Sequence, residues 1–336
     1  MTIQTNSQNT YAAIGIREDL TDIIALIDPQ ETPFTSNIGT GPKPGQTKHE
    51  WQVQPLAAAS KTNAQLEGDD SPSAAAAEAR VRLFNYCQIS RKVGSVTGTM
   101  EEVTVAGIAN ELDNQKMLKA VELRRDIEVT LLDNNNWHAG SAGTARESAG
   151  LPAYITNTDF TGADLWSVAS GTGSTAWNLA ATTARAMNLT ILNGAVMEAH
   201  IDGGKPDMLM FSPRQKVKFS NLTLQSSLGG ATQVRYNLNG VRPAALIGAV
   251  DTWLSNFGQL DVMSNVQLAS DSGTTNGEDV TAYMIDSRYA KVCYLRPMGS
   301  QDLAKTGDAT KFMVLAEYTL QVDAPKAHAA LFALAT

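Results

Sequence analysis

The sequence predicts an α+β fold of more than one lobe. Three observations carry that reading. Residues 110–134 hold a long helical apolar stripe, residues 46–97 read as two strands joined by a long tip, and Phe312 to Val322 alternate over eleven residues. A chain of 336 residues exceeds the usual size of one compact core. With aromatics at only 6%, burial has to rely on Ala, Val, Leu, Ile and Met.

Residues 1–40 read as an arm. Leu20, Ile23, Ile24 and Ile27 form one apolar stripe on a short helix that ends at Asp28-Pro29, and Glu31 to Gly45 is Thr-, Gly- and Pro-rich extended chain. Such a stripe docks on something, either the chain's own core or a neighbour. In the hairpin, Trp51 and Val53 share one face of the first strand. Val81, Leu83, Cys87 and Ile89 share a face of the second, with Arg80, Arg82, Gln88 and Ser90 opposite. The tip, Leu56 to Ala77, has no core pattern. A lone two-stranded hairpin is barely stable in water, so this one needs its own domain or another subunit to lie on.

Thr99 and Glu102 have capping-box spacing, and Gly107 weakens the helix they would start. From Asn110 to Asn134 the pattern is continuous, with Met117, Ala120, Leu123, Ile127 and Leu131 on one stripe and Lys119, Glu122, Arg125 and Asp126 opposite. At ~1.5 Å per residue this helix spans ~35 Å. Arg124 and Glu128 are spaced to pair across one turn, an interaction of a few tenths of a kcal/mol. A second helix is expected from Trp177 to His200, stopped by Gly203-Gly204. The apolar strand Met208–Phe211 then runs into Ser212-Pro213-Arg214-Gln215, a helix start with Ser as cap and Pro in the first turn. Asn239-Gly240 suits a tight hairpin. Ala290, Val292 and Tyr294 alternate, as does Phe312–Val322. The latter has one apolar face, which the long helix is the natural element to cover.

Chemistry is hard to place. The formal net charge of -8 argues against a tight nucleic-acid reader but not against a container for DNA. There is no phosphate-binding G-x-x-x-x-G-K-[ST] and no G-x-S-x-G. Gly171-Thr172-Gly173 lacks the third glycine of a dinucleotide site. His49, His138, His200 and His328 have no metal-ligand spacing. Asp69-Asp70 reads as a solvated turn and Asp271–Asp279 as a loop without the calcium pattern. Arg214, Lys216 and Lys218 form a small basic cluster, read as a solvated helix face. Cys87 and Cys293 are isolated and expected reduced. The start has no signal-peptide pattern and no apolar run reaches bilayer length. The expectation is a non-enzymatic protein with no cofactor, no metal and no membrane partner.

An ordered set of short motifs adds a resemblance. Thr32-Pro33-Phe34-Thr35-Ser36-Asn37-Ile38-Gly39 leads into His49-Glu50-Trp51, then Glu67-Gly68-Asp69-Asp70, Asn85-Tyr86-Cys87-Gln88-Ile89 and Val96-Thr97-Gly98-Thr99. Arg125-Asp126-Ile127-Glu128 and Leu131-Leu132 close the helix. Tyr294-Leu295-Arg296-Pro297, Leu303-Ala304-Lys305-Thr306-Gly307-Asp308, Glu317-Tyr318-Thr319-Leu320 and Ala327-His328 follow. Together they resemble the tailed-bacteriophage major capsid (major head) protein family, with the fold shared by tailed phages, herpesvirus capsid floors and encapsulin shells.

The resemblance implies an N-terminal arm at 1–40 and an extended β-hairpin loop at 41–97 lying over an adjacent subunit. It implies a peripheral domain at 98–174 and 291–336 with a spine helix at 110–134, and an α/β axial domain at 175–290. It further implies a virion shell of pentamers and hexamers enclosing double-stranded DNA held by non-specific contact, assembled in the host cytoplasm. The implied partners are a separate scaffolding protein, a portal and, as an option, a decoration protein. Phe34, Trp51, Leu83 and Phe84 are the expected inter-subunit anchors. An encapsulin-like nanocompartment shell is the alternative.

Overall fold

The computed structural model describes residues 28–64, 66–68, 78–105, 107–158, 171–174, 186–225, 250–269, 281–305, 307–332 and 334. The stripe from Leu20 to Ile27, Asp69-Asp70, Asn239-Gly240, the loop Asp271–Asp279 and the expected helix start at Trp177 lie outside them.

The first body is a four-stranded sheet under a long helix. Strands β1 (Gly39–Thr40), β10 (Ala290–Leu303), β11 (Ala309–Val322) and β4 (Gln88–Thr97) lie in that order, antiparallel apart from the parallel β1–β10 pair. Helix α3 (Glu111–Leu132) packs across β4 and β11. Its start is capped by Asn110, whose side-chain oxygen accepts from Leu112 N at 2.9 Å and Asp113 N at 3.3 Å. Leu123, Ile127 and Leu131 are buried as the stripe predicts, and Ala120 packs against the same core. Met117 departs from the stripe and is 54% exposed. There Lys116 turns toward the sheet instead, its Nζ 2.9 Å from Asp302 and 5.9 Å above the Phe312 ring. The expected capping box at Thr99 does not form. Thr99 lies inside the short helix α2 (Gly98–Glu102), whose cap residue Thr97 makes no side-chain bond.

Strands β2 (Lys48–Val53) and β3 (Val81–Tyr86) form the hairpin, in register from Lys48 opposite Tyr86 to Val53 opposite Val81. It is shorter than the sequence pattern suggests. At Cys87 the chain changes partner, and β4 joins β11 instead of extending the hairpin. The inward set changes with it. Leu83, Asn85 and Cys87 are buried, but Ile89 is 45% exposed because on β4 the even positions face α3. Lys92 there pairs with Asp126 of α3 at 2.7 Å, and a side chain at Gly94 would collide with the Phe312 ring.

The second body is a six-stranded sheet. Strands β5 (Asn157–Thr158), β12 (Ala329–Leu331), β9 (Ala282–Ile285), β6 (Met208–Phe211), β8 (Gly258–Ser264) and β7 (Thr252–Ser255) lie in that order. Both faces of its central strands are buried. Met208, Met210, Tyr283 and Ile285 point into the core that holds α3, while Leu209, Phe211, Ala282 and Met284 point into a second cluster. That second cluster is covered by helices α4 (Leu189–Ile201) and α5 (Pro213–Gln225). Two-sided burial explains why these strands are apolar at every position rather than alternating. Asn188 caps α4, accepting from Ile191 N at 2.8 Å, and Ser212 Oγ accepts from Gln215 N at 3.4 Å at the start of α5, the cap read from the sequence.

Candidate assembly surfaces

The hairpin base is bound to the body by specific polar contacts. Trp51 Nε1 donates to Val322 O at 2.8 Å, and His49 Nε2 lies 2.8 Å from Gln321 Oε1. Tyr154 hydroxyl donates to Phe84 O at 2.8 Å. Asn85 is the hub. Its side-chain nitrogen donates to Leu320 O at 2.9 Å and to Ser148 Oγ at 3.1 Å, and its oxygen accepts from Ala149 N at 2.9 Å. Every one of these groups sits in or beside the apolar core, where an unmade hydrogen bond costs about 1–3 kcal/mol.

This placement puts three of the four expected anchors inside the subunit's own core. Phe34, Trp51 and Leu83 are 0%, 8% and 4% exposed in the single chain and belong to its main core. A side chain already enclosed by its own subunit has almost no surface left for a neighbour. Phe84 is half-buried. Its ring lies against Tyr86 and Trp137 with Lys48 Nζ 3.9 Å from its centre, again inside the subunit.

The surfaces left open lie elsewhere. Every residue from Gln54 to Ala64 is exposed, with Leu56 at 94%, and Leu66 beyond it is 80% exposed. Lys61 is exposed on this stretch. Ile89 and Val93 stand on the face of β4 turned away from α3, and Ile201 and Leu254 are exposed on the second body. A groove of about 310 Å³ runs beside the spine helix, lined by Thr32, Thr35, Arg124, Ile127, Tyr294 and Met298.

Three acids buried among the described residues, Glu128, Asp286 and Glu317, are not marked as buried by the sequence pattern. Glu317 on β11 holds two guanidinium groups, Arg146 Nη2 at 2.9 Å and Arg296 Nε at 2.8 Å. Glu128 does not pair with Arg124. It turns inward from α3, and its Oε1 accepts from Phe34 N at 2.7 Å and from Asn265 Nδ2 at 2.8 Å, while Oε2 accepts from Thr35 N at 2.8 Å. Burial pushes its carboxyl above the usual carboxylate range, against the opposing pull of these donors. The available signal was its spacing. Leu131 and Leu132, three and four residues on, are both buried, which places Glu128 on the inward face.

The remaining singled-out residues do not converge. His49 bonds Gln321, His138 Nδ1 accepts from Gly140 N at 3.1 Å, and the His200 ring lies 5.3 Å from that of Phe257. His328 is fully enclosed, its Nδ1 accepting from Asp286 N at 3.2 Å, and burial pushes it down to about 4. Burial likewise pushes the Cys87 thiol up to about 11 and that of Cys293 to about 12, so neither is a thiolate nucleophile near neutral pH. Gly171 and Gly173 take positive φ in a turn, where Trp137 N donates to Gly173 O at 3.1 Å. Within the basic cluster, Lys216 Nζ is held by Asp251 at 3.1 Å and Val262 O at 3.2 Å. Among the described residues no group of His, Cys, Asp or Glu is placed to hold a metal ion, and no helix is long and apolar enough to cross a membrane.

Comparison with known proteins gives this architecture a family. A solved structure from Gordonia phage Cozz superposes with a TM-score of 0.59 at 14% identity, covering 96% of this chain and 92% of that one. The SrpI encapsulin from Synechococcus elongatus superposes with a TM-score of 0.54 at 11% identity, covering 95% and 92%. At such identities the likeness is one of fold, the tailed-phage major capsid fold. The major capsid protein of Escherichia phage Phieco32 is 30% identical over 148 residues, which is 44% of this chain and 39% of that relative's own length. The model of the SU10 major capsid protein family matches residues 2–335, nearly the whole sequence, and the chain belongs to that family.

Proposed function

We propose that this chain builds the icosahedral head shell of a tailed phage, associating with copies of itself into pentamers and hexamers around double-stranded DNA. The observation that carries this reading is the hairpin. Its base is locked into the subunit, yet its tip runs exposed from Gln54 to Ala64 and displays Leu56 and Leu66 to solvent. Exposed apolar side chains on a projecting element mark a contact surface. Many modest contacts repeated by symmetry then suffice to hold a closed shell.

In this reading residues 1–40 are the arm, 41–97 the extended loop, 98–174 and 291–336 the peripheral domain, and 175–290 the axial domain. The return strand β4 of the loop serves in the peripheral sheet. Contacts between copies fall to the exposed tip and to Ile89, Val93, Ile201 and Leu254, with Phe84 as the one expected anchor that keeps part of its surface. The role is structural and non-enzymatic. A separate scaffolding protein, a portal and an optional decoration protein are the further partners, assembly takes place in the host cytoplasm, and DNA is held without sequence readout. Expression with the scaffolding protein is expected to give hollow icosahedral particles by electron microscopy. A monomer that stays compact under every assembly condition would overturn the proposal, and particles filled with an enzyme rather than DNA would favour the encapsulin-like alternative.

A further inference from the structure

We propose that Glu128 is a positioning residue that fastens the root of the N-terminal arm to both bodies of the subunit at once, and that loss of its negative charge releases that root. The geometry is a three-way junction. Glu128 sits near the end of the spine helix, Phe34 and Thr35 lie on the short helix α1 (Pro33–Asn37) where the arm meets the body, and Asn265 follows β8 of the six-stranded sheet. The two carboxylate oxygens are divided among these partners. Oε2 serves Thr35 N at 2.8 Å, and Oε1 serves both Phe34 N at 2.7 Å and Asn265 Nδ2 at 2.8 Å. Asn265 is itself committed, its Oδ1 accepting from Gln267 N at 2.9 Å and its own N donating to Phe211 O at 2.8 Å. The junction is thus wired to the centre of the second body rather than to a loose loop.

The donors are the N–H groups of Phe34, Thr35 and Asn265, with the Thr35 hydroxyl beside them, and Glu128 supplies the acceptors. An ionised carboxylate accepts at both oxygens, whereas the neutral acid carries a proton on one of them and opposes an N–H there. Either Thr35 N or the Phe34–Asn265 pair then loses its acceptor inside the core, where unsatisfied polar groups are costly. No ionisable side chain is present on the partners that bind it: Phe34 and Thr35 come from α1, Asn265 from the second body, and Met210, which accepts from Asn265 Nδ2 at 3.4 Å, from β6. On its own helix Arg124 lies one turn back and lines the neighbouring groove. Burial raises the carboxyl's affinity for a proton and the hydrogen bonds from the arm root and Asn265 lower it; a root that lets go while the carboxyl stays enclosed removes only the lowering, so protonation and release favour each other, above the usual carboxylate range. The proposal draws on the assembly reading only in treating the chain before Phe34 as the arm that a shell would use.

Hydrogen exchange of the full-length protein, read at the Phe34 and Thr35 amides between about pH 4.5 and about pH 8 after correction for intrinsic rates, tests it. In the wild type, protection at these amides is expected to fall by about tenfold or more as pH drops. Glu128→Gln is expected to show low protection at every pH, with no transition. Asn265→Ala removes a donor that favours the carboxylate, so its transition is expected at higher pH than in the wild type. Wild-type protection in Glu128→Gln at neutral pH, a shared pH profile, or an unmoved midpoint in Asn265→Ala would each overturn the proposal. The readout is local to the arm root, so failure to form shells leaves it standing and its failure leaves shell formation untouched.

Discussion

The base and the tip of the hairpin are parts of one element built on opposite principles. At the base, Trp51 and Leu83 are enclosed, and Asn85 distributes its amide over Leu320, Ser148 and Ala149. At the tip, Gln54 to Ala64 touch water throughout, and Leu56 has no cover. The difference teaches where each part gets its stability. The base folds because the subunit's own core rewards it, while the tip gains nothing from folding alone and projects as a surface for something else. Aromatic residues near a projecting hairpin therefore mark its root, and the sparse aliphatic residues further out mark its contacts.

The largest expected effect comes from breaking the base. Trp51→Ala removes a buried indole and orphans Val322 O, which its Nε1 reaches at 2.8 Å. Truncations of this kind cost about 3–5 kcal/mol, a large share of a total stability of about 5–15 kcal/mol. The variant is expected to lower the denaturation midpoint of the unassembled subunit strongly, measured by urea unfolding followed by circular dichroism. A Trp51→Ala protein with unchanged stability but failed assembly would erase the contrast and return Trp51 to the role of inter-subunit anchor.

How much of this was legible in the sequence follows from what periodicity encodes. The spine helix, the Phe312–Val322 strand and the Ser212 cap were readable because each is a local pattern backed by a local force. The partner change at Cys87 was not. Alternation tells which positions share a face but not which strand lies beside them, and the apolar spacing runs on from Leu83 and Cys87 to Ile89 although β4 joins another sheet and turns its even positions inward. Glu128 was missed for a related reason. A charge on a helix defaults to a solvent-side pair with a residue one turn away, and only the burial of Leu131 and Leu132 reveals that its turn faces inward. Residue type alone marks Phe34, Trp51 and Leu83 as anchors, and it suits a core and an interface equally well.

A smaller effect on the subunit, though not on the shell, is expected from removing the tip. Deleting Ala57–Ala77 takes away residues whose described part is wholly exposed. Surface changes of that kind lie within about 0.5 kcal/mol, so cooperative thermal unfolding of the subunit is expected to persist near its original midpoint while particles fail to form. Loss of cooperative unfolding would show that the tip belongs to the subunit's own core and would collapse the distinction between base and tip.

The smallest expected effect is none at all, and it concerns how neighbouring subunits are locked. A covalent lock between a hairpin lysine and an asparagine of another copy needs the lysine deprotonated for attack on the amide, which burial or a strong neighbouring charge promotes. Lys61 is the lysine on the exposed stretch of the tip, and Ser60, Thr62 and Asn63 around it are small, polar and exposed as well. Their contacts are local: Ser60 Oγ and Thr62 Oγ1 lie 3.1 Å apart, and Thr62 N donates to Ser60 Oγ at 3.3 Å. Nothing there builds an apolar pocket. A disulfide lock fares no better, since Cys87 and Cys293 are both buried within the subunit and present no sulfur to a neighbour. A shell held through the tip is therefore expected to be wholly non-covalent. Particles boiled in detergent with reductant should run as a single band near 35.8 kDa. A ladder of larger species surviving that treatment would mean that contact with a neighbour creates around Lys61 the enclosure the isolated tip lacks, and Lys61→Arg, which keeps the charge but removes the nucleophile, would then be expected to abolish the ladder.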